Sequence, residues 1–299
     1  MPFIQLEQLS LHYEQQLNGD VPIILLHGNF GSWHYWQPFL QNLPEGYSGY
    51  APDFRGCGDS DVTDAGYDIQ TLSQDVLAFA NQLKLDKFHL VGHSLGGAVA
   101  QQLAGTSPDR VISLTLVAPA PAGGMPSLKN ASTSGGFFSA KNTFQFLATI
   151  GLKRKVLSAA IKKSMPGLSH YPHYLDIAVD DALKMDIKAF DGFLATLKHW
   201  NGTQLLKNFN FPVFIIYGEL DSVVPLQALK TMQQQIKDCR LHIFRHIGHS
   251  PQLEHPKAFN KLLSAFLQGN EIEPLSESPF KKQVNLFKQL KLKLKRIFK

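Results

Sequence analysis

The chain has 299 residues, 44% of them apolar and 18% charged, which suits one large globular core, with or without an insertion, and argues against a disordered protein. Its formal charge of +5 is concentrated at one end: residues 280–299 hold eight of the 29 Lys and Arg and no acid, so the rest stands at −3 and nucleic-acid binding is not expected. Cys57 and Cys239 lie far apart without CxxC spacing, which argues against a disulfide framework or a zinc site.

Residues 1–16 lack the basic patch and long apolar run of a secretory signal. No stretch reaches the roughly 18 apolar residues of a spanning helix. The expected location is cytoplasmic, with peripheral attachment to the inner membrane face left open to the basic end of the chain.

Short apolar runs rich in β-branched residues recur at 21–26, 49–52, 88–91, 111–117, 213–217 and 241–244, separated by stretches of helical length. Runs bounded in this way read as buried strands of a mainly parallel sheet, with crossover helices between them. An α/β class follows, with a central sheet flanked by helices. The first run leads into His27-Gly28-Asn29-Phe30, and the aromatics Trp33, His34, Tyr35 and Trp36 come soon after. Residues 67–83 fit a crossover helix with Thr71 or Ser73 as its cap.

The run at 88–91 enters Gly92-His93-Ser94-Leu95-Gly96, a G-x-S-x-G pentapeptide, and a helix-like stretch at 98–104 follows. Strand, tight turn and helix are what an exposed serine nucleophile requires, because the turn pushes the serine outward and the glycines let strand and helix approach closely. The helix N-terminus also directs its N–H groups at developing negative charge.

Regularity breaks after Ala118, where about ninety residues precede the next strand, far beyond an ordinary connection. Residues 119–136 are rich in Pro, Gly and Ser and read as a linker; the remainder to 206 has helical periodicity, clearest at 153–163 and 180–200. We expect a helical lid, 121–207, inserted between core segments 1–120 and 208–269. Its residues Phe137, Phe138, Phe144 and Phe146, together with the aromatics near His27, suggest an apolar acyl pocket, to which Phe30, Trp33 and His93 are assigned. His170-x-x-His173 is not completed into a site by a neighbouring acid at helical spacing, so no metal is expected.

Residues 270–279 contain three Glu, two Ser and two Pro and read as a linker. In residues 280–299, at 100° per residue, Phe280, Val284, Phe287, Leu290, Leu294, Ile297 and Phe298 share one face and most of the basic residues another, with Lys291 and Leu292 off pattern. A basic amphipathic helix of this kind suits an anionic membrane surface.

Several of these segments carry a resemblance. His27-Gly28-Asn29-Phe30, the D-x-R-G-x-G-x-S turn from Asp53 to Ser60, the serine pentapeptide, Tyr217-Gly218-Glu219-Leu220-Asp221 and Gly248-His249-Ser250-Pro251 follow in order. Together they resemble the α/β-hydrolase superfamily over about residues 3–268, in the lid-bearing branch of esterases, carbon–carbon bond hydrolases, cofactor-free haloperoxidases and epoxide hydrolases.

The resemblance implies Ser94 as nucleophile, His249 as general base and Asp221 as the acid that orients the base, with Glu219 the rival acid. It places oxyanion donors at the N–H of Leu95 and in the loop after Gly28, at Asn29 ahead of Phe30. His27 is expected to stabilise its turn and not to carry protons. The local similarity to haloalkane dehalogenases stops at position 94, where those enzymes and epoxide hydrolases need aspartate. The expected activity is hydrolysis of a small-molecule carboxylic ester, of a lipid or another acyl group, through an acyl-enzyme and without a cofactor. Acyl transfer or carbon–carbon bond hydrolysis on the same residues, and a non-catalytic binding protein of this fold, are the alternatives. Nothing in the sequence indicates the oligomeric state.

Overall fold

The computed structural model describes residues 2–7, 9–125 and 152–271 and contains one eight-stranded sheet in the order β1-β2-β4-β3-β5-β6-β7-β8. The strands are β1 (Phe3–Leu6), β2 (Leu9–Gln16), β3 (Val21–Leu26), β4 (Tyr47–Pro52), β5 (Phe88–His93), β6 (Val111–Val117), β7 (Val213–Gly218) and β8 (Cys239–Phe244). β2 runs antiparallel to β1 and β4, and all other pairings are parallel. The central strands are covered on both faces, which is why they stand out as unbroken apolar runs. β1 and β2 have no such signature. In β2 the alternation Leu9, Leu11, Tyr13 is masked by His12, which is buried because its Nδ1 lies 2.7 Å from Asp53 Oδ2.

The helices are α1 (Gln37–Leu40), α2 (Ile69–Gln82), α3 (Leu95–Thr106), α4 (Lys153–Ser164), α5 (Pro172–Lys184), α6 (Ile187–His199), α7 (Leu226–Gln235), α8 (Pro251–Glu254) and α9 (Pro256–Leu267). The cap of α2 is neither Thr71 nor Ser73, both already helical. It is Asp68, whose extended backbone lets its side chain accept the Thr71 N–H at 2.9 Å. On one face of the sheet α2 and α3 enclose Ile24, Leu90 and Leu116; on the other, Ile23, Val91 and Phe214 pack with Trp36, Phe39, Phe259 and Leu263.

The segment after β6 begins differently from the expected linker. Ala118, Ala120 and Ala122 are buried, and the Ala120 N–H donates to Ser94 O at 2.9 Å. Among the described residues between β6 and β7, the helical stretch at 180–200 is two helices. They break at Asp186, which caps α6 through the Lys188 N–H and donates its own N–H to Gly56 O. The two sides of that break pack differently. α4 and α5 form their own cluster over Tyr35 and Leu253, whereas Ala189, Phe190, Phe193 and Leu197 of α6 join the main core beside Phe54 and Tyr67. Phe137, Phe138, Phe144 and Phe146, and the stretch 280–299, lie outside the described residues.

Candidate active site

Ser94 stands between β5 and α3 at φ 53° and ψ −114°, a left-handed conformation that an L-residue adopts only when its surroundings force it. The surroundings do so here. The Ser94 N–H donates to Val117 O on β6, and Ser94 O accepts from Gly97 and Ala120. Gly92 and Gly96 face each other across the turn, where a Cβ on Gly92 would overlap the Gly96 carbonyl and one on Gly96 would overlap the carbonyls of Leu26 and His27. The pentapeptide therefore needs its glycines for close approach of β5, β3 and α3.

His249 lies beyond β8, and its Nε2 is 3.0 Å from Ser94 Oγ while its Nδ1 is 2.8 Å from Asp221 Oδ2. The His249 side chain is 7% exposed and that of Asp221 0%. The second carboxylate oxygen of Asp221 accepts the N–H groups of Val223 and Val224, at 2.7 and 3.0 Å. Tyr217 braces the same loop, its hydroxyl donating to Val224 O at 2.7 Å; burial, with Asp221 nearby, pushes that hydroxyl up to about 12. Glu219 is exposed and is engaged elsewhere, accepting the His246 N–H at 3.1 Å.

The loop after β3 abuts the serine turn: a Cβ on Gly28 would lie 2.9 Å from Ser94 Cβ. His27 is buried, with Nδ1 donating to Gly28 O at 2.8 Å and Nε2 accepting the Phe54 N–H at 3.0 Å, so its ring ties this loop to the Asp53 turn. Burial lowers its affinity for a proton, in keeping with that neutral, bridging role. The Phe30 N–H is taken up by Asn29 Oδ1 at 3.0 Å. Leu95 opens α3, so its N–H is among those that a helix leaves without an intrahelical acceptor.

The three residues expected to line a substrate pocket separate. Phe30 is half-buried and packs on Phe190 of α6, ring centroids 5.2 Å apart. Trp33 instead packs in the core cluster with Trp36 and Phe39. His93, 1% exposed, has its Nε2 3.0 Å from His249 O and 3.2 Å from Ser250 Oγ. Burial, with His249 alongside, holds its pKa well below the ordinary histidine range, so the neutral ring donates to the His249 carbonyl. Both contacts fall on the loop that carries His249.

His170 ends a short turn near Gly167, and His173 packs its ring on Tyr174 at 3.9 Å. Among the described residues no group of three or more His, Cys, Asp or Glu could hold a metal ion. The sequence reading missed Glu254, a fully buried carboxylate five residues beyond His249, and the roles of Ser164 and Gly167 beside it. Each acts through backbone groups, so no pattern of residue types announces it.

Residues 21–256, spanning β3 through the start of α9, match the family model described as alpha/beta hydrolase fold. The chain is similar to the dihydrolipoyllysine-residue acetyltransferase component of the acetoin cleaving system of Cupriavidus necator, 26% identical over 89% of this chain and 69% of that protein. It is also similar to the 2-hydroxy-6-oxononadienedioate/2-hydroxy-6-oxononatrienedioate hydrolase of Escherichia coli, 27% identical over 87% of this chain and 91% of that one. Among solved structures, Est816, described as an N-acyl homoserine lactone degrading enzyme, superposes with a TM-score of 0.71 at 25% identity, covering 89% of this chain and all of the other. With sheet order, serine turn and family match in agreement along the same stretch, the chain belongs to the α/β-hydrolase fold family.

Proposed function

We propose that the protein hydrolyses carboxylic esters through an acyl-enzyme on Ser94. The observation that carries this reading is the pair of contacts made by one imidazole, 3.0 Å to Ser94 Oγ and 2.8 Å to Asp221 Oδ2. With its Nδ1–H donated to the carboxylate, His249 presents the lone pair of Nε2 to the hydroxyl. As Oγ bonds to the ester carbonyl carbon, its proton passes to Nε2, and Asp221 stabilises the imidazolium. Collapse of the tetrahedral intermediate returns that proton to the departing alkoxide, and water then releases the acid by the same route.

The oxyanion needs two donors, each worth about 3 kcal/mol in the transition state. The N–H of Leu95 supplies one. Because the Phe30 N–H already has an acceptor in Asn29 Oδ1, the backbone N–H of Asn29 is the better second donor. Phe30 and Phe190 supply an apolar wall for the acyl group.

A fluorophosphonate probe and p-nitrophenyl esters of increasing chain length test this reading on wild type and Ser94→Ala. Wild type should label and turn over, and the variant should do neither, with a loss on the order of a million-fold in kcat. Activity surviving in Ser94→Ala ends the mechanism. Similarity to an acetyltransferase component supports acyl transfer as a second reading. Partition of the acyl group between water and added butanol separates the two.

A further inference from the structure

A carboxylate removed from water is costly unless its oxygens are hydrogen-bonded. Glu254, at the end of α8, is 0% exposed. Its Oε2 accepts the N–H groups of Gly167 at 2.8 Å and Gly248 at 3.0 Å, and its Oε1 accepts that of Ser250 at 3.0 Å. The N–H between those last two, that of His249 itself, donates to Ser164 O at 2.9 Å. Three consecutive amides, 248 to 250, are thus held from outside their own loop, two by Glu254 and one by the end of α4. Gly167 belongs to the turn that follows α4, and a Cβ there would lie 2.8 Å from Glu254 Cβ, so the insertion is pressed directly onto this side chain.

We propose that Glu254 is a positioning residue that locks the His249 loop against the inserted segment 164–167 and so sets the imidazole in line between Ser94 and Asp221. The inference rests on the Ser94 mechanism proposed above. It extends that mechanism to a residue that touches none of the reacting atoms and to a segment 80 or so residues away in sequence. Three converging donors require an acceptor at every contact. Burial pushes the Glu254 carboxyl up, and the three N–H groups and His249 offset that only in part. Glutamine in its place would offer one oxygen and an NH2 group that opposes an N–H, and the loop would shift. Proton transfer between Oγ and Nε2 tolerates little displacement, since a misplacement of about 1 Å costs on the order of a hundred-fold.

The test uses the full chain as wild type, Glu254→Gln, Gly167→Ala and Ser94→Ala. It measures kcat and KM for p-nitrophenyl butyrate, the rate of fluorophosphonate labelling and the melting temperature. Both clamp variants should lose about ten-fold or more in kcat and in labelling rate, with KM within about two-fold of wild type. Gly167→Ala carries the test by itself if Glu254→Gln does not fold, because it perturbs the clamp from the side of the insertion. Wild-type kcat and labelling in the clamp variants, while Ser94→Ala is inert, overturn the positioning role and leave the serine mechanism standing. So does a fall limited to melting temperature. Labelling of Ser94→Ala at the wild-type rate overturns the mechanism, and the positioning role with it.

Discussion

The backbone of Ser94 occupies a region that costs an L-residue about 1–3 kcal/mol, and the fold recovers this through bonds to β6 and to the chain after it. Local strain at this point exposes the hydroxyl, which is why a five-residue pattern announces it. Asp221 and His249 are likewise announced by their places after the last two parallel strands. Glu254 and His93 are not, because what they bind is amide and carbonyl, and any residue type supplies those. The core also keeps several histidines neutral, in line with the turn-stabilising role expected of His27. His89 is buried on β5 with its Nδ1 2.7 Å from Ser113 Oγ, and burial lowers its pKa to about 4. His27, His93 and His242 shift in the same direction through burial. As pH falls from about 6.5 to about 4, the unfolded chain takes up protons that the native state refuses, so stability falls across that window, by about 3 kcal/mol for His89 taken singly. His89→Asn should therefore flatten the decline in melting temperature between pH 7 and pH 4.5, and a decline as steep as that of wild type would remove His89 from the account.

Among the elements, strands buried on both faces were legible and the half-polar edge hairpin β1–β2 was not, since period-two alternation disappears when a polar position such as His12 is also buried. The long helical stretch between β6 and β7 was legible as helix, but not its break at Asp186, nor the attachment of α6 to the main core. α5 is fastened in another way. The carboxylate of Asp181, 5% exposed, accepts the Ser32 hydroxyl at 2.8 Å and faces His34 Nδ1 at 2.9 Å. Burial lowers the His34 pKa, but the hydrogen bond and charge of Asp181, with Asp53, outweigh that and the opposing Lys184, so the net shift is upward. A raised histidine pKa contributes stability that is fully present below its ordinary value near 6.5 and is lost as pH rises through the shifted one. Asp181→Ala should cost about 1–3 kcal/mol in urea unfolding, more at pH 6 than at pH 8.5. Asp64→Ala, which removes an exposed pair with Lys188 of α6, should leave the melting temperature unchanged. Equal effects of the two substitutions, or a penalty for Asp181→Ala independent of pH, would contradict this ordering.

At the scale of the whole molecule, charge is distributed unevenly: eight basic residues and no acid fall in 280–299, and the remainder carries −3. A fold that only needed to stay soluble would not require its basic residues to alternate with Phe, Leu and Ile at helical spacing. None of the described helices is long and apolar enough to cross a membrane. Each basic residue near an anionic surface contributes about 1 kcal/mol, and the apolar side chains add burial in the interface. We propose on this ground that residues 280–299 bind anionic membrane surfaces reversibly and release them at high salt. In flotation assays the full chain should rise with phosphatidylglycerol-containing vesicles and stay down with neutral ones, and 0.5 M salt should release much of it. A chain ending at residue 279 should stay down with both while keeping its activity on soluble esters. Equal flotation of the two forms would assign any membrane contact to another part of the molecule, and binding to neutral vesicles as strong as to anionic ones would show that charge is not what selects the surface.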